Sequence, residues 1–204
     1  MVMPPQIEVL VANVNARTDC VLPTIEISLR LTNRTSEQVL LAILQYEVYL
    51  AEQATQHGAR PTITAQDRFL TSGIVAINNM SAGQTREVKI QIPLTIDLNN
   101  AIYEQLLALE KEDIVFKLRF YGTNIFRSGS SQPNVAPITF YGTGNQIVLE
   151  AGLSTERWRR MISTYYRNLT WIAISRETFL KLKKLLDEKG YVSYDEVIKE
   201  LLSR

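Results

Sequence analysis

Thr24-Ile-Glu-Ile-Ser-Leu-Arg-Leu-Thr-Asn33 decides the fold class of this chain. Ile25, Ile27, Leu29 and Leu31 alternate with Glu26, Ser28 and Arg30. A period of two places all four aliphatic side chains on one face of a β-strand and the polar ones on the other. The run stops at Asn33-Arg-Thr-Ser36, a cluster of turn residues. The same alternation returns at Val88, Ile90 and Ile92 after a Ser81-Ala-Gly83 turn, and at Ile114, Phe116, Leu118 and Phe120, where Gly122 ends the pattern. Further strands are expected over 7–14, 39–50, 69–77, 138–141 and 146–150.

Short strands separated by turn signals point to a sandwich of antiparallel sheets, not to alternating βαβ units. One helix interrupts them: Leu98, Ile102, Leu106 and Leu109 fall at helical spacing behind Asp97, a residue type suited to the N-cap. Two polar stretches, 52–67 and 124–137, read as flexible loops. The expected architecture is therefore mainly β with an α appendage (α+β): a β-sandwich domain over 1–150 with one inserted helix, then a basic, mainly helical module over 151–204.

Bulk composition agrees with a folded chain. Hydrophobic residues make up 46% and charged residues 21% of 204 residues, which excludes global disorder. Net charge is +1, but it is unevenly spread. Residues 151–204 hold eleven Lys/Arg against seven Asp/Glu, and 151–186 hold eight against two. A basic segment on a slightly acidic body is one pattern of a nucleic-acid or membrane-surface contact. Cys20 is the single cysteine, so no disulfide can form within the chain, as suits a reducing, cytoplasmic setting. The N-terminus carries no basic-then-apolar signal pattern, and no apolar run reaches the length of a membrane helix. On that reading the triplets starting at Asn33, Asn79 and Asn168 are chance matches to a glycosylation motif.

Residues that carry catalysis are scarce. His57 is the lone histidine, in a polar stretch with nothing nearby to orient it, so no catalytic triad is positioned. Cys20 and His57 are too few for a zinc site. Gly142-Thr-Gly144 lacks the third glycine of a phosphate loop and reads as a turn. Glu110, Glu112 and Asp113 read as a solvated helix-to-strand connection. The expectation is a non-enzymatic binding protein with no cofactor and no metal.

The tail holds the denser pattern. Trp158, Met161, Ile162 and Tyr165 share one helical face behind Ser154. An extended stretch, 169–174, follows. Ser175 then caps a helix with an apolar stripe of Phe179, Leu182, Leu185 and Leu186, Gly190 occupies the left-handed position at its end, and Ser193-Tyr-Asp-Glu196 opens a last helix with Val197, Ile198, Leu201 and Leu202.

Two resemblances rest on these residues. Thr24–Asn33, Tyr46-Glu-Val-Tyr-Leu50, Ser72-Gly73 and Met80-Ser-Ala-Gly-Gln-Thr85 leading into Val88–Pro93 resemble the WHy or LEA14-like immunoglobulin-type sandwiches over about residues 7–122. That resemblance implies a non-enzymatic module. In that family Asn is usually followed by Pro; here it is Asn33-Arg34.

The strand, capping serine, basic helix, glycine turn and second capped helix of 169–202 resemble the ribbon-helix-helix family, notably antitoxin-type regulators. It implies a dimer whose paired strands enter the DNA major groove, with Ser193 and Tyr194 at a phosphate and Arg167, Arg176, Lys181, Lys183 and Lys184 as further DNA contacts. One departure is that Leu169, Trp171 and Ala173, which would face the bases, offer no hydrogen-bonding groups to read them.

The alternative is an oligomer or partner contact without nucleic acid, carried by Trp158, Trp171, Ile172, Ile174, Phe179, Leu182, Val197 and Leu201. The expected partners are thus a second copy of the chain in a dimer, DNA, or another protein, and no membrane.

Overall fold

A computed structural model describes residues 6–95, 98, 102, 113–127, 132–166, 174–191 and 193–203. The chain divides into two compact units, Met1–Leu169 and Thr170–Arg204.

Among the described residues, the first unit has nine strands: β1 Gln6–Arg17, β2 Thr24–Asn33, β3 Gln38–Leu50, β4 Arg68–Met80, β5 Thr85–Pro93, β6 Asp113–Arg127, β7 Asn134–Pro137, β8 Thr139–Phe140 and β9 Ile147–Ser154. They form two sheets, ordered β5-β2-β1-β8 and β4-β3-β6-β7, with β9 also pairing β6. Helix α1, Thr155–Tyr166, follows β9 directly. The fold is mainly β with helices added, as the alternation predicts. The sheets are not wholly antiparallel, however: β8 runs parallel to β1 through Gln6 and Ile7.

The alternating aliphatic residues do form the core. Ile25, Ile27, Leu29 and Leu31 of β2, Ile90 and Ile92 of β5, and Ile114, Phe116, Leu118 and Phe120 of β6 are all buried in one cluster drawn from both sheets. Burying one such side chain contributes about 1.5–3 kcal/mol, so the two inner faces supply the main driving force. Leu98 and Ile102 are helical and pack on the same cluster. The rest of the expected inserted helix, with Asp97, Leu106 and Leu109, lies outside the described residues.

Four expectations need correction. The outer face of β2 is covered, not solvated: Glu26 and Ser28 are buried too. Glu26 accepts from Arg17 Nη1 at 2.8 Å, Lys89 Nζ at 3.1 Å and Gln91 Nε2 at 3.4 Å, so long cationic stems roof a central strand.

Gly122 does not end β6, which continues to Arg127. A Cβ at Gly122 would meet the main-chain carbonyl of Ile43 on β3, so glycine is what lets the two strands stay in register there.

Residues 124–127 and 134–137, expected in a loop, are paired strand. The 52–67 stretch is anchored: Glu52 N and Thr64 N donate to the Asp67 carboxylate, which also meets Lys117 Nζ at 3.0 Å, and Thr55 N donates to Glu150 at 2.8 Å.

Asn33 explains why a turn cluster follows β2. Its side chain is fully buried; Nδ2 donates to Glu37 O at 2.7 Å and to Met80 O and Ser81 O, while Oδ1 accepts from Thr35. The Ser81-Ala-Gly83 turn is stitched to it by Gly83 N donating to Asn33 O at 2.9 Å, with Gly83 at φ 69°.

The expected stripe of α1 is also met. Trp158 and Met161 are buried in the core of this unit, with Ile162 and Tyr165 packed at its margin. The composition shift near residue 151 therefore falls inside β9, and the first helix after it belongs to the β unit.

The second unit contains α2, Arg176–Lys189, and α3, Tyr194–Leu202. Ser175 accepts from Thr178 N at 3.1 Å, Gly190 sits at φ 69° with its N–H on Leu186 O, and Ser193 accepts from Glu196 N. All three helix-end signals read from the sequence are where the spacing put them.

Candidate interaction surface in the C-terminal helices

Helices of fourteen and nine residues are too short to persist on propensity alone. They need an apolar face buried against something. Within the unit, Val197 of α3 is buried, and the Phe179 and Tyr194 rings meet at 5.6 Å between centroids. Leu182, Leu185, Leu186 and Ile198 are half-buried.

No residue of α2 is buried. Ile174, Phe179, Leu180, Leu201 and Leu202 are exposed, Leu180 by 54% and Leu202 by 81%. Leu180 lies off the stripe read from the sequence, so the apolar surface is wider than the spacing implied.

The structure sorts the sequence-derived contact residues into three groups. Ile174, Phe179 and Leu201 are exposed and Leu182 is half-buried, all in the second unit. Trp158 and Val197 are interior residues of their own units and offer no surface to another chain. Arg167, Trp171 and Ile172 lie outside the described residues.

The basic residues are not a bare cationic face. Lys181 Nζ is 2.6 Å from Glu177 and Lys184 Nζ is 3.6 Å from Glu188, both one helical turn along the chain. Arg176 and Lys183 are exposed. Ser193 spends its hydroxyl on the Glu196 N–H, and Tyr194 is half-buried against Phe179. The first turn of α3 carries Asp195 and Glu196. Two carboxylates there take up the positive end of the helix dipole and repel a phosphate. Asp195 also bonds Lys199 and holds its ammonium above the usual lysine range.

Among the described residues, the other titratable groups with shifted protonation lie in the first unit. On the outer face of its second sheet, Glu47 accepts from Tyr49 Oη at 2.5 Å, Arg119 Nε at 2.8 Å and Tyr121 Oη at 3.2 Å. Burial pushes the Glu47 carboxyl up, but these three donors outweigh it and hold it below the usual range. The Arg119 guanidinium lies 5.7 Å from the Tyr49 ring centroid, and the Phe69 ring meets Tyr49 edge-on. His57 is exposed in the 52–67 loop. Among the described residues no three His, Cys, Asp or Glu side chains come together as a metal site, and no helix is long and apolar enough to cross a membrane. Sequence reasoning missed the Glu47 network because its members are separated by about seventy residues in the chain and meet only through β3–β6 register.

Residues 64–204 match a family of unknown function, DUF6084. The chain belongs to that family. The DUF6084 match runs from the end of the 52–67 loop through both C-terminal helices, so the tail is part of what the family shares. No curated protein matches this DUF6084 chain in sequence.

In fold it is similar to a protein of Arabidopsis thaliana (TM-score 0.46, 11% identity, 75% of this chain and 83% of that one). It is also similar to a protein described as late embryogenesis abundant (TM-score 0.35, 15% identity, 75% and 74%), and to one from Bordetella pertussis described as ApaA (TM-score 0.35, 14% identity, 77% and 99%).

Proposed function

We propose that this chain is a non-catalytic binding protein that pairs with a second copy of itself through its C-terminal helices. The observation that carries this reading is α2, a capped amphipathic helix with no buried residue and an exposed apolar surface continued by α3. The resemblance of 169–202 to ribbon-helix-helix modules supports a second copy as the covering partner, since those modules fold as intertwined pairs. Lys181, Lys184 and Lys199 are each paired with a carboxylate one turn away, which lowers the charge repulsion between two copies of these helices. Of the carboxylates held below their usual range, the three enclosed ones, Glu26, Glu47 and Asp67, are each bonded by several donors of the same chain, which supports binding over catalysis.

The strand orders β1-β2-β5 and β4-β3-β6-β7 support a finer reading of the first unit as an immunoglobulin-type sandwich. It also suits the WHy or LEA14-like resemblance.

The test is sedimentation of the full chain against its Leu180→Glu/Leu202→Glu variant over a range of concentrations. The reading expects a salt-tolerant self-association that weakens at least about tenfold in the variant, the loss expected from placing charges in an apolar contact. Identical behaviour of the two proteins overturns it.

A second reading, contact with DNA, is favoured by exposed Arg176 and Lys183. It expects anisotropy of a labelled duplex to rise with protein at low salt and to fall steeply as salt is added, because phosphate contacts release counterions. A flat titration at low salt removes it.

A further inference from the structure

Sheet edges present unpaired N–H and C=O groups, and natural proteins guard them with charges, proline, shortness or cover. Most edges here are guarded. β5 carries Arg86, Glu87, Lys89 and Pro93. β7 is four residues long, ends in Pro137 and follows Pro133. β8 has two residues, and β1 and β9 pack against each other and against α1.

β4 is different. It stands last in its sheet, and among the described residues no strand pairs with its outer side. It is thirteen residues long, has no proline, and carries one charge, Arg68, at its first position. Phe69 is 54% exposed and Ile74 66% exposed. The register with β3 puts Ser72 beside Glu47, Ile74 beside Gln45 and Ala76 beside Ile43, so these three side chains share the outer face of the sheet.

We propose that β4 is a pairing edge that takes β4 of a second copy, antiparallel, joining the two sheets into one continuous sheet across a two-fold axis. The unpaired backbone specifies an extended strand as the occupant. Charge specifies the copy. A bulge at Leu70 limits the regular run of β4, and overlap of its unbroken stretch, 71–77, with itself centres the pair on Ile74, so Ser72 faces Ala76 of the second copy. No like charges come opposite one another, and the two exposed Ile74 side chains cover each other at the axis. Such a contact is isologous and closes at two chains. It stands on the edge itself and does not depend on the C-terminal helices, although pairing there would raise the effective concentration of the two edges.

The experiment is sedimentation equilibrium of full-length protein in the Leu180→Glu/Leu202→Glu background, so that the helices do not mask the edge. Three proteins are compared: the background, the background with Ser72→Lys/Ala76→Lys, and the background with Ser72→Lys/Ala76→Glu. The lysine pair sets like charges opposite each other in the proposed register; the Lys/Glu pair sets opposite charges there. The inference expects the background to dimerise, the lysine pair to dimerise at least about tenfold more weakly, and the Lys/Glu pair to recover the background value, by the size of cross-strand pair effects at two symmetric sites.

Circular dichroism of the three proteins should be superimposable. A background that stays monomeric at its solubility limit overturns the inference, as does a Lys/Glu pair no stronger than the lysine pair. The step from wild type to background reads the helices alone, so failure of either contact is visible separately.

Discussion

Lys117 Nζ lies 3.0 Å from the Asp67 carboxylate, with both side chains almost wholly removed from water. The pair ties the end of the 52–67 loop to the middle of β6. Asp67 also accepts the Glu52 and Thr64 N–H groups, so its oxygens are fully used. Lys117→Met should destabilise the protein by about 3–5 kcal/mol, because it strands a buried carboxylate. Adding Asp67→Asn should recover part of that loss, since no buried charge is then left uncompensated and the amide oxygen still accepts one of the two loop N–H groups, although the other loses its acceptor. Urea unfolding of the three proteins checks this; a Lys117→Met protein as stable as wild type would show that the pair carries no net stability.

Acid should weaken the fold through Glu26, Asp67 and Glu47. The Arg17 and Lys89 hydrogen bonds hold the Glu26 carboxyl below its ordinary value. For Asp67, burial acts upward, but the Thr64 N–H, Lys117 and the Glu52 N–H bring it below the ordinary value. Folded pKa values below the unfolded ones mean stability is complete above the unfolded carboxylate range, about pH 4, and is lost as pH falls through the folded values. Thermal unfolding from neutral pH downward should therefore give a plateau followed by a decline below about pH 4.5. Glu26→Gln should flatten that decline while lowering the plateau by about 1.5–3 kcal/mol, the range for hydrogen bonds to charged groups. An acid limb unchanged by Glu26→Gln would remove Glu26 as a contributor.

What could be read in the sequence is what local rules control. The alternation from Ile25 to Leu31, the Asn33 turn and the caps at Ser175, Gly190 and Ser193 each depend on residues within a few positions. Long-range closure was not legible. Asp67 and Lys117 are fifty residues apart, so the 52–67 stretch reads as a free polar loop although it is pinned. Glu26 and Ser28 read as a solvated face because nothing near them announces Arg17, Lys89 and Gln91 as their roof. Gly122 reads as a strand end because glycine more often ends a strand than threads one past a neighbouring carbonyl. In the tail, the spacing gives the apolar stripes of both helices, but no single-chain pattern states what covers them.

Gly122 and Gly73 test close approach on two neighbouring strand pairs. A Cβ at Gly73 would fall on the Tyr46 ring, a side chain, whereas one at Gly122 would fall on the Ile43 carbonyl, part of the backbone. A ring can rotate or shift; a paired strand cannot without losing its ladder. Gly73→Ala should cost about 1 kcal/mol and Gly122→Ala about 3 kcal/mol, the two ends of the overpacking range. Tyr46→Leu should relieve the first loss and leave the second intact. Equal losses at both glycines in chemical denaturation would contradict the backbone argument.

The three helix ends of the second unit give the last prediction. Ser175 and Ser193 each satisfy an N–H that no helical carbonyl can reach, and Gly190 takes a left-handed backbone that an L side chain resists. Ser175→Ala and Ser193→Ala should each cost the helices about 1 kcal/mol, and Gly190→Ala about as much. These losses fall on helices with few buried residues, so they should appear locally. Amide hydrogen exchange should speed up across 176–202 in each variant while β2, β3 and β6 keep their protection. Exchange that instead rises together in the sheets and in the helices would mean that the two units unfold as one.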